Sequence, residues 1–365
     1  MRDFSINLFK AGIRVLSNHW SPYSRLILAG DGAGWSLDWD IRELNQIATR
    51  LGIKTQGRIW KNASSPQALY FASAQTISNS ANWINLPHRI GFSYPRGVPI
   101  NPQVEPDPVF LSLCKHHKHI QRVQVSHSAM REFVLESGID PGKVFQIPIG
   151  VNLSFFRFRD VKLRRSQKLE LGIPASAFVI GSFQKDGNGW DKGMEPKLVK
   201  GPDVLIQTLA KLKESIPELF VLLVGPARGF VIAGLEQQNI PYLYIPQQPY
   251  DKVSLLYQVL DLYLVTSRQE GGPKAVLESM ASGVPLITTR VGQAMDIVNH
   301  GQNGWMVDTE DIDGLAHWAR YVYQNQGSGL ENILQQARVT AEANTYTKQI
   351  PLWKAFMNGY VDLND

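Results

Sequence analysis

Ser267-Arg268-Gln269-Glu270-Gly271-Gly272-Pro273-Lys274-Ala275-Val276-Leu277-Glu278-Ser279-Met280-Ala281-Ser282-Gly283-Val284-Pro285-Leu286-Ile287-Thr288-Thr289 joins a glycine-rich turn to a short helix and then to a strand. Pro273 suits the first helical position, where φ is already set and a missing N–H costs nothing. Gly271 and Gly272 let the backbone come close to a ligand, and the free N–H groups of the first helical turn favour an anion. Glu270 and Glu278 bracket that turn and suit hydroxyl groups. Phosphate beside hydroxyls is the chemistry that a nucleotide sugar needs.

Outward from this stretch, short apolar runs alternate with helical patterns along nearly the whole chain, which predicts βαβ units and parallel sheets. The expected strands of the first half are Arg25–Ala29, Gln67–Ala72, Arg89–Ser93, Arg122–Ser126 and Val144–Ile147, with helices over Trp39–Leu51 and Ser128–Ser137. Gly138 and Pro141 stop the second helix. The second half predicts strands at Phe178–Phe183, Leu219–Val224, Tyr242–Ile245, Leu262–Val265 and Val284–Thr288, with helices over Pro202–Ser215 and Asp251–Leu260. The fold class is therefore α/β, with two doubly wound, Rossmann-like domains facing across a cleft at the carboxyl ends of their strands. The expected division is 1–153 and 154–344 for the two domains, with 345–365 as a C-terminal segment.

A length of 365 residues fits two cores better than one, and 44% hydrophobic with 19% charged residues is a globular balance. The net charge of +5 and pI near 9.1 favour anionic partners. Cys114 stands alone, so no disulfide framework is expected and a reducing compartment fits. Met1–Trp20 does not resemble a cleavable signal and no run of eighteen apolar residues occurs, so neither a secretory signal nor a transmembrane helix is expected. The expected location is cytoplasmic, with peripheral contact at the inner face of an anionic membrane as an option. Phe4, Leu8, Phe9, Ile13, Leu16 and Trp20 recur at helical spacing with Lys10 and Arg14 between them. A packed segment explains them better than a membrane-surface helix does.

Lys200-Gly201-Pro202-Asp203 is a second helix-opening turn, with a cation placed to neutralise a diphosphate. The connection from Phe183 to Pro202 is about eighteen residues long and carries Lys185, Lys192, Lys197 and Lys200. That far exceeds the usual median of roughly 4–6 residues. A surface insertion fits, but a mobile flap over the ligand fits better, because the connection leaves the carboxyl end of a strand and ends in a phosphate-type turn. Gly30-Asp31-Gly32-Ala33-Gly34 follows the first strand and allows close backbone approach, but its spacing departs from the dinucleotide fingerprint at the last glycine. Asp38-Trp39-Asp40 has an Asp-x-Asp form, yet at a helix start its acids read as capping groups. His116, His117 and His119 are interrupted by lysines with no carboxylate near, so no metal site is expected. The basic run Arg157, Arg159, Lys162, Arg164, Arg165, Lys168 fits a solvated face, an anionic lipid or an acidic glycan. No recognition motif accompanies it, so nucleic acid is not an expected partner.

The Glu270-Gly271-Gly272-Pro273-Lys274 to Glu278 pattern, followed by Ala281-Ser282-Gly283-Val284-Pro285, resembles glycosyltransferase family 4 of the glycosyl transferases group 1. The likeness extends to Ile147-Pro148-Ile149-Gly150-Val151-Asn152, to Lys200-Gly201-Pro202-Asp203, and to Val291-Gly292-Gln293 before Asp296. It implies the GT-B architecture, with 1–153 on the acceptor side, 154–344 binding the nucleotide sugar and a helix within 345–365 packing back toward the first domain. It also implies retaining transfer from a nucleotide-diphosphate sugar to a glycan, lipid-linked or other hydroxyl acceptor, without a metal or other cofactor. By that resemblance Glu270 holds sugar hydroxyls, Glu278 holds the ribose, and the Gly271, Gly272, Pro273 and Lys274 backbone binds diphosphate, with Lys200 as the cation. Gly30, Gly32 and Gly34 would face the sugar or the acceptor, and His127 is a further candidate there. The family's usual arginine after the first C-terminal strand is missing from Gly181-Ser182-Phe183, and Lys185 is the expected substitute. A nucleotide-sugar epimerase and a non-catalytic sugar-binding subunit are the rivals. Acceptor-dependent release of nucleoside diphosphate separates all three.

Overall fold

A computed structural model of the chain describes residues 23–30, 36–56, 66–72, 87–100, 107–246 and 248–362. The Met1–Trp20 segment, and Gly32 and Gly34 of the first glycine turn, lie outside the described residues.

In the first half the described strands are β1 (Arg25–Ala29), β2 (Lys54–Gln56), β3 (Ala68–Phe71), β4 (Arg89–Ser93), β5 (Ile120–Val125) and β6 (Val144–Gln146). They make one parallel six-stranded sheet in the order β2-β1-β3-β4-β5-β6. Helices α1 (Ser36–Arg50), α2 (Pro108–His116) and α3 (Ser128–Leu135) connect them. Helix α4 (Val161–Glu170) leads into the second sheet, built from β7 (Phe178–Phe183), β8 (Leu219–Val224), β9 (Tyr242–Ile245), β10 (Leu262–Val265), β11 (Leu286–Thr289) and β12 (Trp305–Val307). This sheet is also parallel, in the order β12-β11-β10-β7-β8-β9. Its helices are α5 (Pro202–Lys213), α6 (Gly229–Gln237), α7 (Tyr250–Tyr257), α8 (Lys274–Ser282), α9 (Ala294–Ile297), α10 (Ile312–Gln324) and α11 (Glu331–Ala343). The chain ends with α12 (Ile350–Met357).

Every strand expected from the sequence is present, with ends moved by a residue or two. The two strands not anticipated, β2 and β12, are three-residue edge strands. So short an edge carries too little alternation to read. Both sheets reverse strand order, between β1 and β3 in the first and between β7 and β10 in the second. Ligands of such sheets sit outside the carboxyl ends of the strands at that switch point. The residues following β7 and β10 are therefore where a site belongs.

Apolar side chains cover both faces of each sheet. On one face of the first sheet, Leu26, Leu28, Ala68 and Tyr70 pack with Trp353, Phe356, Met357, Tyr360 and Val361, so α12 crosses back to complete that core. Arg122 donates to the Phe356 and Asn358 carbonyls at 2.9 and 2.7 Å, and Arg89 pairs with Asp362 at 3.0 Å. Among the described residues no helix is long and apolar enough to cross a membrane.

Candidate active site

A cleft of about 400 Å³ opens at the second sheet's switch point and is closed on its far side by the first domain. Leu37, Asp40, Pro95 and Ile149 line it from one side, and Lys185, Lys197, Lys200, Glu270, Gly272, Pro273, Lys274 and Glu278 from the other. Most of the residues picked from the sequence thus converge on one space.

Local geometry explains why Lys200 and Glu270 meet. Gly201 has φ +62°, and a side chain there would press its Cβ to 1.9 Å from the Thr266 carbonyl, so only glycine lets α5 start against the end of β10. The Val199 carbonyl accepts from the N–H groups of Arg268 and Gln269 at 2.9 and 3.1 Å. Arg268 grips both Asp203 oxygens at 2.8 and 2.7 Å, a fork that fixes one turn against the other. That bond also holds the Asp203 carboxyl below the usual range. The Lys200 ammonium then donates to both Glu270 oxygens, at 2.6 and 2.7 Å, and Ser267 Oγ adds a bond at 2.8 Å. Two residues taken separately in the sequence are one ion pair.

Helix α8 begins at Lys274, one residue later than the sequence suggests, with Pro273 as its uncapped N-cap. Proline still fits, because an N-cap needs no N–H donor. Gly272, Pro273, Lys274 and Ala275, at the uncapped start of α8, line the cleft, so the helix dipole favours an anion there. The Lys274 ammonium turns to Asp40 of α1 and donates to Tyr346 Oη at 2.8 Å, while Tyr346 donates to Asp40 at 2.7 Å. Asp40 is therefore no helix cap but a cross-domain partner that local sequence did not reveal. Glu278 is buried, accepting from Tyr250 and, at 2.8 Å, from Tyr257. Burial raises its carboxyl pKa, against the pull of Tyr250 and Lys274.

Gly271 lies at the contact between domains: its carbonyl accepts from Ser126 Oγ at 2.7 Å, and a side chain would strike the Pro95 carbonyl. Gln293 bonds both backbone groups of Ile149, at 2.7 and 3.0 Å. Asp296 receives Ser128 N and Oγ at 2.9 and 2.7 Å, so it joins the domains. His127 does not line the cleft. It is 1% exposed and caps α3 through Nδ1, and burial lowers its imidazole pKa against the opposing pull of Asp296. Gly30 ends β1 beside Asp38, where a Cβ would sit 2.3 Å from the carboxylate. In the basic run Arg159, Arg164 and Lys168 turn inward, to the Leu260 carbonyl, Asp261 and the Ala177 carbonyl. Among the described residues no three His, Cys, Asp or Glu side chains gather as a metal-ligand group.

The connection after β7 carries structure of its own. Gly187 and Pro196 form an antiparallel bridge, and Asn188 N donates to the Glu195 carbonyl at 2.9 Å. Gly229 and Phe230 N–H groups at the start of α6 donate to Lys192 and Gly193 at 2.7 and 3.0 Å. Arg228, fully buried, donates to the Ser182 carbonyl and Oγ at 2.6 and 3.0 Å and lies 2.9 Å from the buried Asp186 carboxylate. Its Nε–H is not aligned on that oxygen, so the contact is an ion pair rather than a directed bond. This is a pinned hairpin rather than a loose flap. Lys185 reaches the cleft wall from it with its ammonium 3.8 Å above the Trp190 ring.

Residues 196–340 match the family model described as glycosyl transferases group 1. The protein of Anabaena named HepE, solved with UDP and glucose, superposes with a TM-score of 0.74 at 13% identity, covering 92% of this chain and 100% of its own. Sucrose-phosphate synthase of Thermosynechococcus elongatus gives 0.70 at 14%, covering 92% and 98%. The D-inositol 3-phosphate glycosyltransferase of Segniliparus rotundus is 25% identical over 228 residues, 60% of this chain and 46% of the relative. That of Thermomonospora curvata is 29% identical over 200 residues, 50% and 43%. The chain spans about half the length of the curated relatives it matches. The fold is GT-B, and the match to the glycosyl transferases group 1 model falls on the domain that carries the Lys200–Glu270 pair and α8.

Proposed function

We propose that the chain transfers a sugar from a nucleotide-diphosphate donor to a hydroxyl of a glycan or lipid-linked acceptor, with retention of anomeric configuration. The observation that carries this is the Lys200–Glu270 pair set beside the open N-terminus of α8 in one cleft between the domains. Charge building on a departing diphosphate needs donors already in place, and a helix N-terminus with lysines provides them. UDP in the solved HepE neighbour supports a uridine donor for this reading. The division near residues 153 and 344, with the donor on the second domain and the acceptor on the first, belongs to the same proposal.

Retention without a protein nucleophile is supported by the state of the carboxylates. Glu270 is engaged by Lys200 and Ser267, Glu278 by two tyrosines, and Asp40 by Lys274 and Tyr346. The three carboxylates that line the cleft are thus each already engaged by donors of the protein itself. The acceptor then attacks from the leaving-group face, and a phosphate oxygen takes its proton. Lysines and the helix dipole meet the developing charge, so the reaction is read as needing no metal. An anionic membrane surface remains part of the proposal as the place where a lipid-linked acceptor is met.

Lys200→Ala and Glu270→Ala are each expected to lose most turnover while the fold survives, read as acceptor-dependent release of nucleoside diphosphate. Turnover within about twofold of wild type in both variants contradicts the assignment.

A further inference from the structure

Lys200, the cation that the sequence first nominates for the diphosphate, is already neutralised, and so is Lys274. Lys200 faces Glu270 and Lys274 faces Asp40, so neither pair brings net positive charge to the cleft. Lys185 and Lys197 differ. Both line the cleft, and among the described residues neither ammonium has a carboxylate within ion-pair distance. Burial, and then the neighbouring Lys200, hold the Lys197 ammonium below its ordinary value, so an anion that arrived beside it would relieve it.

Both lysines come from the hairpin, and both are fixed through Asp186. Lys185 precedes it in sequence, and the Lys197 N–H donates to the Asp186 carbonyl at 2.7 Å. The Asp186 carboxylate is held by Arg228, whose guanidinium also binds the Ser182 carbonyl at the end of β7 and the Gln184 and Val224 carbonyls at 3.2 Å. Gly193, at φ +74°, lets the hairpin press on Ala227, where a Cβ would sit 2.2 Å from the carbonyl. The arginine missing after Gly181 thus has a counterpart in space. It arrives from the loop after β8 and is wholly buried, so it braces the hairpin and touches no ligand.

We propose that Lys185 and Lys197 supply the net positive charge that binds the donor diphosphate, held in the cleft by the buried Asp186–Arg228 brace. This rests on the donor reading above and adds residues to it. Lys200 stays paired with Glu270. Arg228 is a positioning residue, acting through the hairpin.

The test is calorimetric titration of the full chain with UDP and uridine, and with GDP and guanosine, across a range of salt. For the diphosphate that wild type binds, Lys185→Ala with Lys197→Ala is expected to weaken affinity about tenfold or more, and to flatten its salt dependence. Affinity for the bare nucleoside stays unchanged. Lys192→Ala, at the tip of the same hairpin and outside the cleft, leaves both affinities as they were. Arg228→Met is expected to lose diphosphate but not nucleoside affinity, with partial recovery in Arg228→Lys. Diphosphate affinity within twofold of wild type in the double-lysine variant overturns the proposal. Equal loss of diphosphate and nucleoside in Arg228→Met overturns the positioning role, and the double-lysine variant decides the rest should Arg228→Met fail to fold. A folded wild type that binds none of the nucleoside diphosphates overturns the donor reading, and this assignment with it.

Discussion

Replacing Arg228 by methionine should be among the most damaging single changes outside the apolar core. The guanidinium is 0% exposed and Asp186 is 1% exposed, so the charge left behind has no water to turn to. Removing one partner of a buried pair costs about 3–5 kcal/mol, because the other charge is stranded. The Ser182 carbonyl loses its 2.6 Å bond as well, which adds on the order of 1 kcal/mol. Methionine returns part of the lost packing, so about 4 kcal/mol is expected for the net change. Neutralising the partner should recover much of it. Arg228→Met with Asp186→Leu is expected within about 2 kcal/mol of wild type, since a buried pair contributes little beyond an apolar pair of similar volume. Urea denaturation of the four proteins in the cycle measures both quantities. A loss below about 1 kcal/mol in Arg228→Met refutes the buried-charge argument, as does a double variant no more stable than the single.

Phe356→Ala removes a fully buried ring from the core that α12 shares with the first sheet, and should cost about 3–5 kcal/mol by denaturation. A cost below about 1 kcal/mol means the helix is not part of that core. Glu278→Gln tests the buried carboxyl through pH. Because burial raises the folded pKa above the ordinary 4.5, wild type loses stability as pH climbs through and above that value, until the folded group has also ionised. Glutamine has no such loss, so its melting temperature relative to wild type should rise from about pH 4 to about pH 8; a flat difference contradicts the assignment. Chelation by EDTA should leave turnover unchanged, and abolition reversed by added divalent cation would contradict the metal-free reading.

Both sheets and their order of elements were legible because each central strand is an apolar run bounded by turns, as in Phe178–Phe183 and Leu219–Val224. The cleft itself was legible at Glu270-Gly271-Gly272-Pro273-Lys274, where turn, helix start and carboxylate lie together in sequence. What local sequence hid are partnerships between distant residues. Asp40 looked like a cap because its partners, Lys274 and Tyr346, come from the other end of the chain. Tyr250 and Tyr257 gave no sign of closing over Glu278, since any buried helix carries such aromatics. Arg228 was invisible for the same reason: a lone arginine after a strand reads as exposed, and only the fold shows it buried against Asp186. His127 went the other way, being a polar residue at a strand end whose position in the fold is that of a helix cap.

On the proposed function, this cleft holds a nucleotide-diphosphate sugar between Lys200–Glu270 and the start of α8. Thermal denaturation of the full chain against UDP-glucose, UDP-N-acetylglucosamine and GDP-mannose tests it most directly. At 100 times its dissociation constant, a true donor should stabilise the wild type by about 2.7 kcal/mol, and that gain should shrink in Lys200→Ala and Glu270→Ala. A wild type that none of these nucleotide sugars stabilises, or a gain that both variants keep in full, contradicts the account.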